Sequence, residues 1–175
     1  MTDGVIRLRA LEPEDVDTVF RWENDNNLWH LGNTQAPFNC DTIAGYIATY
    51  DGDIFRAGQL RLMITSLADG RALGAIDLYE FDALNRRAGV GILIDDSERG
   101  HGYGLRALRL LCRHCYDRLG MKQLWAICQS ENAAAMRLFS SVAFEQCGHL
   151  RSWVRRGEQW YDAVMFQLLL PTGAI

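Results

Sequence analysis

The stretch Asp95-Asp96-Ser97-Glu98-Arg99-Gly100-His101-Gly102-Tyr103-Gly104-Leu105 decides how this chain is read. Three glycines and an arginine stand between an extended apolar run, Arg87 to Ile94, and an amphipathic segment. In that segment Leu105, Leu108, Leu111, Cys112, Cys115, Tyr116 and Leu119 recur at helical spacing. Glycine has no Cβ, so the backbone N–H groups around it stay open to close approach, and a helix N-terminus adds partial positive charge beside them. The pattern predicts a loop that holds an anion, most simply the phosphate of a cofactor.

The spacing narrows the choice of phosphate loop. A Walker loop carries Lys-Ser or Lys-Thr after its last glycine, and Leu105-Arg106 stands there instead. A dinucleotide fingerprint needs Gly-x-Gly-x-x-Gly directly after a strand; here the glycines alternate and four polar residues, Asp95 to Glu98, precede them. A turn without a ligand would waste stability, since each such glycine costs roughly 0.5–1 kcal/mol.

Length and composition set the frame. The 175 residues suit one domain, 1–175, long enough to bury a core without staples. No window approaches eighteen uncharged apolar residues, and Met1-Thr2-Asp3-Gly4-Val5-Ile6-Arg7 lacks the basic and apolar regions of a signal peptide. A cytoplasmic protein with no membrane partner is expected. Cys40, Cys112, Cys115, Cys128 and Cys147 are odd in number, and the one C-x-x-C pair, Cys112 and Cys115, falls on the apolar stripe of a helix, so free thiols and no metal are expected. A formal net charge of -4 argues against nucleic acid and leans toward a cationic partner.

Along the chain, Val5 to Leu8 reads as a strand. Pro13 opens a helix carrying Val16, Val19, Phe20 and Trp22. Residues 24 to 39 read as irregular, and Asp41 as the cap of a helix running to Tyr50. Gln59 to Thr65, Ala72 to Glu80 and Arg87 to Ile94 read as strands, with a turn at Asp69-Gly70. The amphipathic helix then ends at a left-handed Gly120. Gln123 to Cys128 is another strand, and Asn132 starts a short helix. A hairpin, Gly148 to Val154 and Trp160 to Leu169, turns at Arg156-Gly157. Strands first, then alternating strands and helices, predict an α/β (α+β) chain: a mixed sheet with helices on its faces.

The loop resembles the Arg/Gln-x-x-Gly-x-Gly/Ala loop of the GNAT superfamily of acyl-CoA-dependent N-acetyltransferases. The preceding strand, Ala88-Gly89-Val90-Gly91-Ile92-Leu93-Ile94, carries two glycines, which mark a bulge or a close backbone approach. Downstream, Asn132-Ala133-Ala134-Ala135-Met136-Arg137-Leu138-Phe139, followed by Ala143-Phe144, is similar to the family's Asn-x-x-Ala-x-x-Leu-Tyr-x-x-x-Gly-Phe helix. Gly157 to Asp162 and Arg21 to Asn24 resemble the branch holding ribosomal-protein and spermidine acetyltransferases. The resemblance implies a mostly antiparallel mixed sheet of about six or seven strands, splayed at a central parallel pair, with about four helices. It implies acetyl-CoA as cosubstrate, its pyrophosphate on Arg99, Gly100, His101, Gly102, Tyr103 and Gly104. The pantetheine would lie on Ile92, Leu93 and Ile94, with Asn132 and Phe139 beside the thioester. Pairing into a homodimer is implied as well.

Acetyl transfer to an amine requires deprotonation of an ammonium whose pKa is near ~10. It also needs a donor for the oxyanion and departure of a thiolate. Three departures from the family pattern bear on this: Phe139 replaces the tyrosine acid, Ala143 replaces a glycine, and Gly91 stands where some members carry a glutamate base. Tyr103, Tyr79 or a water remain as acids. For the base, strand alternation puts Asp77, Tyr79 and Phe81 on one face and Glu80 and Asp82 on the other. The resemblance selects Asp77 and Glu80, and the competing reading is a solvated strand end paired with Arg86 or Arg87. Glu23, Asn24, Asp25, Trp29 and His30, with Tyr79, are the candidates for an acceptor pocket. Arg155-Arg156 reads as a solvated hairpin end, and Trp22 and Trp125 as core. Three functions stay open: acetylation of a polyamine-like or other small primary amine, acetylation of a peptide N-terminus, and a non-catalytic acyl-CoA-binding module.

Overall fold

The computed structural model describes residues 1–29 and 34–170. Seven strands form one sheet: β1 (Ile6–Arg9), β2 (Leu60–Ser66), β3 (Ala72–Asp82), β4 (Arg87–Ile94), β5 (Gln123–Gln129), β6 (Glu145–Arg156) and β7 (Gln159–Leu169). Their order is β1-β2-β3-β4-β5-β7-β6, and every neighbouring pair is antiparallel except β4 with β5. That parallel pair is held only at Arg87↔Gln123, Ala88↔Leu124 and Gly89↔Trp125. Past Gly89 the strands part, because each keeps its other neighbour: β4 follows β3 to Ile94 and β5 follows β7 to Gln129. The splay opens the middle of the sheet.

Five α-helices are described: α1 (Val16–Glu23), α2 (Cys40–Thr49), α3 (Ile54–Ala57), α4 (Tyr103–Asp117) and α5 (Ala133–Ser140). Period-2 alternation in β2 and β3 sorts the core onto two faces. Leu62, Ile64, Ile76 and Leu78 join Leu108, Leu111 and Cys115 of α4. Met63 and Ala75 turn the other way, to Val19 and Trp22 of α1 and Ile43 and Ile47 of α2. The sheet is thus covered by helices on both sides.

Several sequence expectations shift. The short α3, capped by the Asp53 side chain on the Phe55 amide, lies where no element is expected, and it is one of five α-helices among the described residues. The cap of α2 is Asn39, whose carboxamide oxygen accepts from Thr42 N at 2.7 Å, not Asp41. The terminal hairpin is longer than expected and turns at Gly157-Glu158. Helix α4 stops at Asp117, before Gly120, although Gly120 does adopt φ +59. All five cysteines are free. No helix among the described residues is long and apolar enough to cross a membrane.

Candidate active site

A single cleft of about 850 Å³ runs from the glycine loop, along the parted strands, to the end of α1. At one end the backbone is laid out for an anion. Gly100 and Gly102 take φ +81 and +79, a left-handed conformation that side chains with a Cβ resist. Gly102 is the N-cap of α4, and the first helical bond is given by Arg106 N to Gly102 O at 3.2 Å. The amides of residues 100–105 have no acceptor among the described residues. Gly100, Gly102, Tyr103, Gly104 and Leu105 all line the cleft. Arg99 also lines it, its guanidinium bound to Asp96 at 2.6 Å. His101 does not; it is exposed, contacts the Glu98 carbonyl at 3.2 Å and stacks on Tyr103.

The middle of the cleft is the splay. Gly91, Ile92, Leu93 and Ile94 of β4 form one wall, and Gln129, Glu131, Asn132, Ala135 and Leu138 the other. Asn132 caps α5, its side-chain oxygen accepting from Ala135 N at 3.0 Å. Phe139 is elsewhere: it is 3% exposed and packs on Phe144 and Phe166 in the core. Arg156, expected in solvent, is half-buried on this wall. It bonds Gln129, pairs with Glu131 at 3.3 Å and lies 4.3 Å over the Tyr161 ring.

The two strand glycines have different causes. β4 keeps an unbroken register with β3 from Gly89 to Ile94, so it carries no bulge there. A Cβ at Gly89 would lie 2.5 Å from Tyr79 Cζ and 2.9 Å from Trp125 Cζ2, whose rings meet edge to face through that gap. At Gly91 the space belongs to Asp77, with Oδ2 at 3.7 Å from a Cβ built there. The irregularity sits in β3 instead, where register shifts between Tyr79 and Asp82 and Glu80 takes φ +49. The alternation expected for Glu80 and Asp82 is broken by that bulge. Glu80 ends exposed and off the cleft, and Asp82 pairs with Arg87 at 3.1 Å. Tyr79 does not line the cleft either, and burial pushes its hydroxyl up to about 12.

At the far end three elements converge on one guanidinium. Arg61 of β2 reaches Asp77 of β3 through Nε (2.6 Å) and Nη2 (3.2 Å), and Glu23 of α1 through Nη1 (2.6 Å). Tyr46 lies beneath it, and the Tyr50 hydroxyl accepts from the Arg61 amide at 2.5 Å. Burial pushes the Asp77 carboxyl up, against the pull of Arg61. Burial by itself would lower the Arg61 guanidinium, but the charges of Asp77 and Glu23 raise it, so it stays a cation. Trp22, Asn27, Leu28, Trp29 and Thr34 also line the cleft. The Trp29 indole donates to the Glu23 carbonyl at 2.9 Å. Asn24 instead ties down Phe38, and Asp25 bonds the Asn27 amide. His30 lies outside the described residues.

Arg61, Asp95 and Arg156 are the residues that sequence reasoning misses. Asp95 accepts from the buried Trp22 indole at 2.8 Å and from Arg21 at 2.8 Å, joining α1 to the glycine loop. Trp22 is therefore both core and cleft wall. Among these, only the alternation of Arg61 with core-facing Leu60 and Leu62 is a local signal.

A family model described as an acetyltransferase (GNAT) domain matches residues 6–145. An uncharacterised N-acetyltransferase of Bacillus licheniformis is 25% identical over 165 residues, 94% of this chain and 92% of that protein. Spermidine N(1)-acetyltransferase of Escherichia coli is 26% identical over 145 residues, 83% of this chain and 75% of that one. The crystal structure of spermidine N-acetyltransferase from Vibrio cholerae, in complex with CoA and spermine, superposes with a TM-score of 0.85. It covers 95% of this chain and 96% of that one at 19% identity, a likeness of fold.

Proposed function

The chain belongs to the GNAT family of acetyltransferases, and from that premise we propose that it transfers the acetyl group of acetyl-CoA to a small primary amine. One observation carries the reading. The parted β4 and β5 open onto loop amides that have no acceptor among the described residues, in the same cleft that holds a carboxylate beside Gly91.

The residues suit the cosubstrate. Gly100 to Leu105 offer a run of amides, and a helix N-terminus strengthens them toward a diphosphate. The edge of Ile92 to Ile94 that β5 leaves open, where Arg99 Nε reaches the Ile94 carbonyl at 3.3 Å, offers backbone donors and acceptors to the pantetheine amides, and one of its N–H groups serves the developing oxyanion. Asn132, Ala135 and Leu138 face it across the gap. Bound acetyl-CoA would supply an activated thioester. The C–N bond forms as the C–S bond breaks.

Two protons must leave the ammonium. Asp77, raised by burial and placed at the head of the acceptor end, takes the first through water and passes it to solvent. The second goes to the departing sulfur, and Tyr103, which lines the cleft by the glycine loop, is the hydroxyl we assign to relay it through water. Glu80, exposed and outside the cleft, is the weaker choice of base. The reading as a non-catalytic acyl-CoA module rests on the missing hydroxyl of Phe139. That side chain packs in the core, so its identity says little about the cleft.

The test is thermal melting with and without acetyl-CoA, followed by a free-thiol release assay across primary amines. A ligand at 100 times its Kd stabilises the native state by about 2.7 kcal/mol. Gly102→Val, which forces a β-branched residue to φ +79, should lose that shift and stay folded. A wild-type protein that melts identically with millimolar acetyl-CoA overturns the reading.

A further inference from the structure

We propose that the acceptor is a monoamine with an apolar body, a single ammonium on an aliphatic or aromatic arm, and not a polyamine; this rests on the acetyltransferase reading above. The argument is a charge count. Among the described residues every carboxylate lining the cleft has a guanidinium partner: Asp96 pairs with Arg99, Glu131 with Arg156, and Glu98, beside the glycine loop, with Arg71, which also holds Asp69 outside the cleft. At the acceptor end two carboxylates, Glu23 and Asp77, share one cation, Arg61. The excess there is one negative unit. Residues 30–33, His-Leu-Gly-Asn, add no carboxylate to the count.

One ammonium brings that end to neutrality. A second or third ammonium on the same molecule would enter a cleft whose other carboxylates are already paired, and an unpaired charge removed from water is costly. The walls agree with the count. Leu28 and Trp29, the latter bonded to the Glu23 carbonyl, line the cleft, Trp22 lines it with its indole turned to Asp95, and Asn27 and Thr34 are uncharged polar lining groups. An apolar arm gains from desolvating against Leu28 and the Trp29 indole. A polyamine chain, with a cation every few carbons, gains little of that.

The experiment compares kcat/KM for 2-phenylethylamine and hexylamine with that for putrescine and spermidine, at fixed acetyl-CoA and pH. The monoamines should exceed the polyamines by at least about tenfold, the equivalent of 1.4 kcal/mol. Asn27→Asp, isosteric and at an exposed position, adds one unit of negative charge to the same end. It should raise the putrescine-to-hexylamine ratio about tenfold while leaving the acetyl-CoA melting shift in place. Glu23→Gln removes the excess unit and should raise KM for the monoamine more than it lowers kcat. Spermidine turned over better than both monoamines, or a ratio unmoved by Asn27→Asp, overturns the inference and leaves the acetyltransferase reading standing. Thiol release with no amine at all, together with no melting shift, is the separate failure of that reading.

Discussion

Gly89 and Gly91 look alike in the sequence and do different work in the structure. Tyr79 and Trp125 fill the space beside Gly89, so Gly89→Ala must push two rings apart; overpacking of that kind costs about 1–3 kcal/mol. The methyl of Gly91→Ala meets Asp77 at 3.7 Å and Tyr79 Cε1 at 3.8 Å, both ordinary contacts, and stability should stay within about 0.5 kcal/mol of wild type. That methyl does take up cleft space beside the carboxylate proposed as base, where water would approach it. Urea unfolding should therefore single out Gly89→Ala, and thiol release with an amine should single out Gly91→Ala as the slow enzyme. Equal loss of stability in both would refute the distinction. Sequence shows that a strand glycine is unusual but not which neighbour requires it, because the neighbours come from β3 and β5. The same limit hides Arg61, whose partners sit on α1 and β3, and Arg156, which looks solvated until Gln129 and Glu131 are brought beside it.

Between elements the Asp95 joint matters most. Burial would raise this carboxyl, but hydrogen bonds from Trp22, Ser97 and Arg21 outweigh it and hold the group well below the usual carboxylate range. A depressed folded value means that the stabilisation is complete above the unfolded value of about 3.9 and disappears as pH falls through the folded one. Asp95→Asn leaves Arg21 unpaired and puts an amide where a carboxylate accepted several bonds, at a cost of about 2 kcal/mol at neutral pH. Urea midpoints measured from pH 6 down to pH 3 should show the gap between wild type and variant narrowing; a constant gap would sink this account. Periodicity made most elements legible, since the alternation of β5 and the apolar stripe of α4 follow simple repeats. It failed where the local signal is short or broken: α3 has four residues, and the bulge at Glu80 flips the face that alternation assigns.

For the molecule as a whole, the cleft exists because the sheet cannot keep all its pairings. β4 and β5 each hold a long antiparallel partner and give up most of their shared ladder, while the cores on either face keep the halves from drifting apart. A ligand laid into that gap therefore reports on the entire fold. The thiols provide the readout. Cys40 and Cys147 are exposed, whereas Cys112, Cys115 and Cys128 are buried in the main core, where burial pushes Cys112 up to about 12 and Cys128 up to about 11. Alkylation with iodoacetamide followed by intact mass should add two groups quickly and three only as the chain opens. If acetyl-CoA binds across the splay, the slow phase should lengthen by about 100-fold at 100 times the Kd, with the fast phase unchanged. A slow phase indifferent to the ligand would mean that the cleft and the core are not coupled as this topology requires.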